Sequence, residues 1–398
     1  MSQAQFIARL LWVSLFAWSA VAHAATYYVQ PTGVDTNPGS VAAPFATIRR
    51  AAEVAVAPGD LVLVAPGTYP EAVIVMGSGT ATKPITFRSQ TYAKAVITGD
   101  VRPQAWPGDH AIGGANAHPY VVFEGFTFAG RASLFQLRMA RGWRAISNVF
   151  RDGQNGINAR ADGIQIVHNQ FRDLEGHAYV VYGSAGPMVR GNTVRRINTA
   201  GAYDPAASAV SKFGYTTGLR FQDNFVADSV GPGVWLDFEN RGYVLERNTI
   251  LRQRGRTAAW QGPGIQTEID AGPGTIRNNR IEDNQGPGIA ILESANVTVE
   301  DNTILCGPGY AGVELRNTAR GPGIQGEIIR HNHIEGCGPI PGARGAAIKF
   351  AVGTNPGYGV LTAYGNTFAQ GTDPLYDWFG TKAYTEAEAC TTFGFECE

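Results

Sequence analysis

Charged side chains are scarce in this sequence of 398 residues. Only 16% of the residues are Asp, Glu, Lys or Arg, whereas soluble proteins average about 25%. The 32 basic and 33 acidic residues nearly cancel, so the chain lacks the basic excess that nucleic-acid binding requires. A hydrophobic fraction of 44% also excludes a disordered chain, which would be polar and highly charged. We therefore expect a folded protein without a nucleic-acid partner.

The sequence also lacks three features that would indicate a membrane span, a serine hydrolase or a metal site. After the first 24 residues, no apolar run is long enough to cross a membrane. The sequence has no Gly-x-Ser-x-Gly, the motif of many serine hydrolases. Neither its histidines nor its four cysteines follow the spacing of a metal site. We therefore expect no metal cofactor, although hard carboxylate oxygens leave Ca2+ binding open.

The N-terminus has the pattern of a secretory signal. Arg9 precedes the apolar run 10–18, and Ala22-His23-Ala24 is a small-x-small cleavage site. The run is too short to act as a stable membrane anchor. We therefore predict a signal peptide at residues 1–24 and a mature protein located in the periplasm or outside the cell.

Glycine, in contrast, is abundant at 50 residues, and it accompanies short alternating strands from about residue 120 onward. The most regular feature is an asparagine followed two residues later by an apolar residue. Its shortest intervals run from 21 (169 − 148) to 24 (248 − 224) residues. Short strands at such a period predict a solenoid, and glycine suits its tight corners. The repeated asparagines are Asn148, Asn169, Asn192, Asn224, Asn248, Asn279, Asn302, Asn332 and Asn366.

We predict an all-β fold, a single-stranded right-handed parallel β-helix at residues 61–370. An N-terminal strand and capping helix would occupy 25–60, and a C-terminal cap would occupy 371–398. The helical spacing of apolar residues at 43–55 predicts the capping helix, which would cover the open end of the solenoid. The asparagines would form an internal amide ladder at one corner rather than bind a ligand.

The four cysteines suit an exported protein, because disulfides persist in oxidising compartments. Two of them follow neighbouring repeat asparagines at similar offsets. We therefore predict two disulfides, Cys306–Cys337 and Cys390–Cys397.

The N-terminal segment resembles a known group of proteins. The residues YYVQPTGVDTNPGS at 27–40 are followed by PFATI at 44–48, PGD at 58–60 and APGTY at 65–69. This pattern resembles the start of secreted β-helix enzymes that act on polysaccharides, namely family-nine pectate lyases and the alginate lyase and chondroitinase B family. The resemblance implies a β-helix enzyme that cleaves an acidic polysaccharide.

A second resemblance concerns the site. In the alginate lyase and chondroitinase B family, a Ser-Lys pair in this place supplies the catalytic base, and an arginine one coil later assists it. Ser211-Lys212 matches that pair, and Asp237 occupies the place of the arginine. The resemblance therefore implies a catalytic role for Lys212.

Aligning the coils predicts two columns of outward-facing side chains. Because parallel strands lie about 4.8 Å apart, successive members of a column would be neighbours. The first column reads Arg160, Tyr182, Lys212, Asp237 and Glu268, and the second reads Trp235, Gln266, Glu314 and Lys349.

A face with charges, amides and an aromatic ring suits a glycan. We expect Lys212, Asp237 and Glu268 to be catalytic. Trp235 would be either a platform for a sugar ring or packing beneath a loop. The expected substrate-binding residues are Arg160, Tyr182, Tyr203, Asp204, Trp235, Glu239 and Gln266.

Two reactions fit these residues. In β-elimination, a base removes the C5 proton of a uronic acid while a cation neutralises its carboxylate. A neutral lysine can be that base, but Asp237 and Glu268 beside Lys212 would favour its ammonium form. In hydrolysis, the two carboxylates would act as acid and base, or as acid and nucleophile.

We expect a monomeric polysaccharide lyase-like enzyme that acts on an acidic glycan. The first alternative is a glycoside hydrolase that uses Asp237 and Glu268. The second is a non-catalytic solenoid that binds glycans or serves as a structural component of the cell envelope.

Overall fold

Each coil of the structure consists of three short strands, and equivalent strands of successive coils form long parallel sheets. The computed structural model describes residues 24–103, 118–130, 136–138, 141–201, 209–257, 261–307, 309–317, 320–337, 345–351, 361–369 and 374–397. In this part of the chain the three long sheets contain 13, 11 and 12 strands. The predicted all-β parallel β-helix is confirmed.

The three long sheets form the three sides of the solenoid. Sheet 1 contains Thr26–Val29, Leu61–Val64, Ile85–Ser89, Val121–Glu124, Arg144–Ile146, Gln165–Val167, Met188–Arg190, Arg220–Gln222, Tyr243–Glu246, Gly274–Arg277, Val297–Glu300, Ile328–Arg330 and Thr362–Tyr364. Sheet 2 contains Gln136–Arg138, Ile157–Arg160, Tyr179–Tyr182, Ser211–Gly214, Val234–Asp237, Ile265–Glu268, Ile289–Leu292, Val313–Arg316, Ile348–Ala351, Tyr376–Trp378 and Thr381–Ala383. Sheet 3 contains Gly67–Tyr69, Ala95–Ile97, Thr127–Ala129, Val149–Arg151, Gln170–Leu174, Thr193–Ile197, Phe225–Ala227, Thr249–Leu251, Arg280–Glu282, Thr303–Leu305, His333–Glu335 and Thr367–Phe368. Val73–Val75 and Val101–Pro103 pair separately.

The core is a continuous column of inward-facing apolar side chains. Equivalent residues of successive coils stack directly, as Phe128, Phe150 and Phe171 do with ring centroids 4.8 and 4.7 Å apart. Since one coil cannot bury its inner face alone, stability depends on this stacking of coils. Sheet 1 begins one strand earlier than residue 61, because Thr26–Val29 pairs in parallel with Leu61–Val64.

The repeated asparagines form the predicted amide ladder. The backbone N–H of each of the first eight donates to Oδ1 of the next, at 2.8 to 3.1 Å. Their side chains are at most 3% exposed. The ladder ends on Glu396, whose carboxylate accepts hydrogen bonds from Asn366 N and Nδ2. These asparagines therefore stabilise the corner between sheets 1 and 3.

Two helices lie at the ends of the described solenoid. Helix α1 (Ile48–Val54) begins after Thr47, whose hydroxyl accepts a hydrogen bond from the Arg50 N–H at 3.0 Å. It is shorter than the predicted 43–55, because Phe45 is extended and bridges to Val29. Helix α2 (Glu386–Phe393) follows an antiparallel hairpin at the C-terminal end.

Both predicted disulfides are present. Cys306 and Cys337 have Cα atoms 5.1 Å apart, and Cys390 and Cys397 have Cα atoms 5.0 Å apart. The first bond joins neighbouring coils, and the second ties the end of helix α2 to the C-terminal residues.

Candidate functional site

The register of sheet 2 corrects the predicted first column. Lys212 pairs with Trp235, whereas Gly214 precedes Asp237 and Glu268 in the column. The expectation that Lys212, Asp237 and Glu268 share one column is therefore wrong. Positions 212 and 214 both face outward in a strand of period two, so alternation alone cannot choose between them. The second column is confirmed, running from Trp235 through Gln266, Glu314 and Lys349.

Lys212 nevertheless reaches Asp237 across the two columns. Its Nζ lies 3.0 Å from Asp237 Oδ2, and the two side chains are only 10% and 7% exposed. The same ammonium lies 3.7 Å from the centroid of the Trp235 ring. Because Trp235 is only 4% exposed and the Lys212 ammonium lies over its ring, the ring is not available as a sugar platform, which was one of the two alternatives for this residue. It forms a cation–π contact that supports Lys212 instead.

Asp237 has an unusual electrostatic environment. Burial raises the pKa of its carboxyl group, and the charge of nearby Glu268 raises it further. The Lys212 ammonium, by its charge and hydrogen bond, and the Arg320 guanidinium lower it again. Together these effects leave the pKa of Asp237 above the usual value for aspartate. A raised pKa is closer to neutral pH, where a carboxyl group is a more efficient general acid or base.

Tyr182 lies beside Asp237 because the intervening position is a glycine. A Cβ atom at Gly214 would lie 2.4 Å from Tyr182 Cε1 and 2.7 Å from the carbonyl oxygen of Asp237. The tyrosine ring therefore occupies the space of a missing side chain. Burial and the charge of Asp237 raise the pKa of Tyr182, so its hydroxyl stays protonated and can donate a hydrogen bond or a proton.

Glu268 is held by two donors from different coils. Its Oε1 lies 2.8 Å from an Arg320 guanidinium nitrogen, and its Oε2 accepts a 2.9 Å hydrogen bond from Gln266 Nε2. Arg320 comes from a corner two coils further along, where its backbone N–H also donates to the buried Glu293. The site thus contains two carboxylates, each with a cation in contact.

His177 lies within the same electrostatic environment as Lys212. It is 9% exposed, and its Nδ1 is 2.6 Å from the carbonyl oxygen of Ala209. Burial, together with the charge of Lys212, lowers the pKa of His177. A neutral imidazole therefore lies close to the ammonium group.

The corner after these strands carries two exposed aromatic rings. Tyr215 is 54% exposed and Phe238 is 40% exposed. Their ring centroids are 6.0 Å apart with planes inclined by 8°, and Tyr182 is 6.4 Å from Tyr215. Sequence reasoning missed both residues, because an aromatic residue near a strand end looks like core.

The remaining predicted residues lie at different distances from this cluster. Arg160 is exposed and close enough to Tyr182 to lower its pKa. Glu239 is exposed on the corner, where it pairs with Arg241 at 3.6 Å. Tyr203 and Asp204 lie outside the described residues.

Two site residues could have been found in the sequence. Gly214 occupies a position of the first column at which the neighbouring coils carry side chains. A glycine at such a position indicates that a neighbouring side chain fills the space. Arg320 directly precedes the Gly-Pro-Gly turn at 321–323 in a corner that is longer than its neighbours. An insertion of this kind is a common location for functional residues. The repeat does not indicate, however, which coil the Arg320 side chain contacts.

Among the described residues, no group of three or more His, Cys, Asp or Glu side chains has the arrangement of a metal site. No helix in this part of the chain is both long and apolar enough to span a membrane.

The curated sequence relative covers only a small part of the chain. The "Uncharacterized protein YwoF" of Bacillus subtilis is 45% identical over 73 residues, which span 18% of this chain and 15% of the relative. A family model described as "Protein of unknown function (DUF1565)" matches residues 31–75. The relative is therefore much longer than the matched region.

Solved structures share the fold at low sequence identity. XylC, in complex with xylose, has a TM-score of 0.64 at 14% identity and covers 88% of this chain and 86% of its own. The A-module of the mannuronan C-5 epimerase AlgE6 from Azotobacter vinelandii has a TM-score of 0.59 at 13% identity, with 84% and 91% covered. A mannuronic acid-specific polysaccharide family 6 lyase from human gut microbiota has a TM-score of 0.51 at 15% identity, with 87% of each chain covered.

One family model spans much more of the chain. The model described as "Right handed beta helix region" matches residues 156–326 and 213–374. The two matches together extend over more than half of the 398 residues. The predicted right-handed parallel β-helix is thereby confirmed, and the chain belongs to the right-handed beta helix family.

Proposed function

We propose that this protein is an exported polysaccharide lyase that cleaves an acidic glycan on the outer face of sheet 2. The observation that carries the proposal is the contact of the Lys212 ammonium with the buried Asp237 carboxylate, 3.0 Å apart. A cation to neutralise a sugar carboxylate and a carboxylate of raised pKa to accept a proton are the two groups that β-elimination from a uronic acid needs.

The roles follow from the environment of each side chain. Lys212 binds the uronate carboxylate, which makes the C5 proton more acidic. The Asp237 carboxylate, relieved of its ion pair, accepts that proton. The C4–O bond then breaks, a C4–C5 double bond forms, and the leaving oxygen takes a proton from the Tyr182 hydroxyl. The step leaves Asp237 protonated and Tyr182 as a tyrosinate. Transfer of the Asp237 proton to Tyr182, directly or through solvent, restores both groups for the next turnover.

Two kinds of observation support an acidic polysaccharide as substrate. The proposed site contains cations, Lys212 and Arg320, in direct contact with its carboxylates. In addition, similar solved structures include an epimerase for mannuronan and a lyase specific for mannuronic acid. The predicted signal peptide and the two disulfides support a mature protein in the periplasm or outside the cell, where such polymers occur.

The proposal is tested with alginate, pectate and glycosaminoglycans as substrates. We expect new ultraviolet absorbance from the unsaturated product of at least one polymer. Asp237→Asn should reduce this activity by at least about 100-fold, the usual share of a general base, and Lys212→Met should reduce it as well. Asp223→Asn, which alters an exposed ion pair with Arg247, should retain wild-type activity and serves as the control.

A second candidate function is glycoside hydrolysis. Asp237 and Glu268 are register partners on adjacent strands, so their backbones lie about 4.8 Å apart. The two carboxyl groups have different environments, since Lys212 contacts one and Arg320 the other. Paired carboxylates of this kind suit an acid and a nucleophile. New reducing ends without ultraviolet absorbance, lost in Glu268→Gln, would favour hydrolysis over the lyase.

A non-catalytic solenoid is distinguished by the same assays. Absence of turnover on all three polymers, with glycan binding unchanged in Lys212→Met and Asp237→Asn, would contradict an enzyme at this site. It would favour a glycan-binding or structural role.

A further inference from the structure

Tyr215 and Phe238 form an exposed pair of aromatic rings on the outer surface of the solenoid. The Tyr215 N–H donates to the Phe238 carbonyl oxygen at 2.7 Å. The two residues follow the paired strands Ser211–Gly214 and Val234–Asp237, so their rings are neighbours on successive coils. Their planes are nearly parallel, inclined by 8°. Exposed aromatic rings forgo the favourable burial of their apolar area, and a contiguous apolar patch commonly marks an interaction surface.

The backbone at this corner does not require aromatic residues. Tyr215 and Phe238 have φ angles of 53° and 64°, a left-handed conformation that is unfavourable for bulky side chains. Gly183 occupies the same corner one coil earlier with a φ of 54°, and a Cβ atom there would meet no atom within 4 Å. The space beside Tyr215 is therefore open on that side. The left-handed conformation is a property of the corner itself, since Ile269 has a φ of 58° in the next coil.

The two rings are continuous with the candidate site. Tyr215 directly follows Gly214, Phe238 directly follows Asp237, and the Tyr182 ring lies 6.4 Å from Tyr215. We infer that Tyr215 and Phe238 form a platform on which a pyranose ring of the polysaccharide packs, next to the uronate bound by Lys212 and Asp237. This inference rests on the proposed function.

A sugar ring is the occupant that fits the size and chemistry of the patch. A pyranose offers an apolar C–H face to an aromatic ring, while its hydroxyls stay at the periphery in contact with water. Two rings are far smaller than the roughly 800 Å2 that each partner buries in a stable protein interface. The platform therefore adds affinity and positions the chain, while the charged groups perform the reaction.

The experiment uses affinity electrophoresis in gels that contain alginate, pectate or chondroitin sulfate, together with steady-state kinetics. Tyr215→Ala and Phe238→Ala should each weaken retardation by the bound polymer about tenfold and raise KM to a similar extent, with kcat changed less than twofold. Tyr384→Ala removes a ring that is 53% exposed at the C-terminal cap. This control should behave as wild type.

The outcomes separate the platform from the proposed function. If Asp237→Asn abolishes turnover while Tyr215→Ala and Phe238→Ala leave both affinity and KM unchanged, the platform is wrong and the lyase stands. If the wild-type protein turns over no polymer but loses retardation in the two ring variants, the platform stands and the lyase is wrong. If none of the three polymers retards the wild-type protein, both are overturned.

Discussion

Lys212 Nζ lies 3.0 Å from Asp237 Oδ2 in an ion pair whose side chains are only 10% and 7% exposed. Removing one partner of a buried pair is costly, because the remaining charge stays desolvated and unpaired. We expect Lys212→Met to lower the free energy of unfolding by about 3 kcal/mol. It should also raise the pKa of Asp237 further, since Lys212 lowers it in the wild-type protein. Urea unfolding followed by circular dichroism measures the loss of stability.

Two controls separate this effect from a general loss of packing. Lys212→Met/Asp237→Leu removes both charges, and we expect it to recover much of the lost stability. Arg88→Met breaks an exposed ion pair with Glu124 and should change the free energy of unfolding by less than about 1 kcal/mol. A double variant as unstable as Lys212→Met alone would contradict the importance of the buried pair.

The fold could be predicted from the sequence because a solenoid repeats its local rules in every coil. The asparagine at one corner has the same backbone and side-chain partners from Asn148 to Asn332, so its spacing alone reveals the stacking. The same regularity made the disulfide between Cys306 and Cys337 predictable, because residues at equal distances after the repeated asparagines lie next to each other in successive coils.

The site was less predictable because it depends on register and on insertions. The repeat pattern places Lys212 in one column with Asp237, yet the structure pairs Lys212 with Trp235. Positions 212 and 214 of the strand Ser211–Gly214 both fit the alternation of inward and outward side chains. The connection that precedes this strand varies in length between coils, so spacing does not fix the register either. Arg320 lies in an insertion at a corner. Its ion pair with Glu268 cannot be predicted from the repeat, because the insertion does not recur in other coils. Contacts made across loops of variable length therefore cannot be predicted from the repeat.

Gly214 provides a second prediction, because it makes room for the Tyr182 ring. The Cβ atom of Gly214→Ala would lie 2.4 Å from Tyr182 Cε1 and 2.7 Å from the Asp237 carbonyl oxygen, so the tyrosine ring, the Asp237 backbone or both must move. If Tyr182 donates the proton to the leaving oxygen, we expect Gly214→Ala and Tyr182→Phe to lower kcat by about 100-fold. Steady-state kinetics on the polymer that the wild-type enzyme cleaves provide the measurement.

The matched control is Gly233→Ala, which also crowds the solenoid. Its Cβ atom would lie 2.7 Å from the carbonyl oxygen of Gly264 and 2.8 Å from an Ile250 methyl group, with no contact to Tyr182. We expect Gly233→Ala to lower the melting temperature while kcat stays near the wild-type value. A similar loss of kcat in this variant would show that Gly214→Ala acts through stability alone.

The end of the asparagine ladder gives a third prediction. The Glu396 carboxylate accepts hydrogen bonds from Asn366 N at 3.2 Å, from Asn366 Nδ2 at 2.8 Å and from the Tyr376 hydroxyl at 2.5 Å. Glu396→Ala removes the acceptor of the Asn366 backbone N–H and of the Tyr376 hydroxyl, whereas Asn366 Nδ2 keeps its 3.0 Å hydrogen bond to the Ile329 carbonyl oxygen. The loss costs about 1–3 kcal/mol for each donor that stays buried without an acceptor. We expect faster amide hydrogen exchange in the last coils, measured by mass spectrometry, with exchange near Asn148 unchanged. Glu386→Ala, an exposed change in helix α2, should leave both regions as in the wild-type protein.

The last prediction concerns two acids inside the solenoid. Asp270 is fully buried and Glu327 is 1% exposed. Among the described residues, Asp270 Oδ2 and both Glu327 carboxyl oxygens lack a donor with good hydrogen-bond geometry, although backbone N–H groups of Asn296 and Gln325 lie near enough to lower the pKa of Glu327. Burial raises the pKa of Asp270 to about 7 and that of Glu327 to about 8. Both groups are thus protonated in the folded protein at a pH where the unfolded chain has released the proton.

The sign of the pH dependence follows from these raised values. The folded state binds more protons than the unfolded state above about pH 4, so stability contributed by the protonated acids falls as the pH rises. The loss should be complete once the pH passes 7 for Asp270 and 8 for Glu327, and each group contributes at most about 4 to 5 kcal/mol. Asp270→Asn and Glu327→Gln remove the titration, so the difference in unfolding free energy between each variant and the wild type should grow from pH 5 to pH 9. Glu53→Gln, which alters an exposed ion pair with Arg50, should show a constant difference. A Glu327→Gln difference that does not change over this range would contradict a raised pKa for the Glu327 carboxyl group.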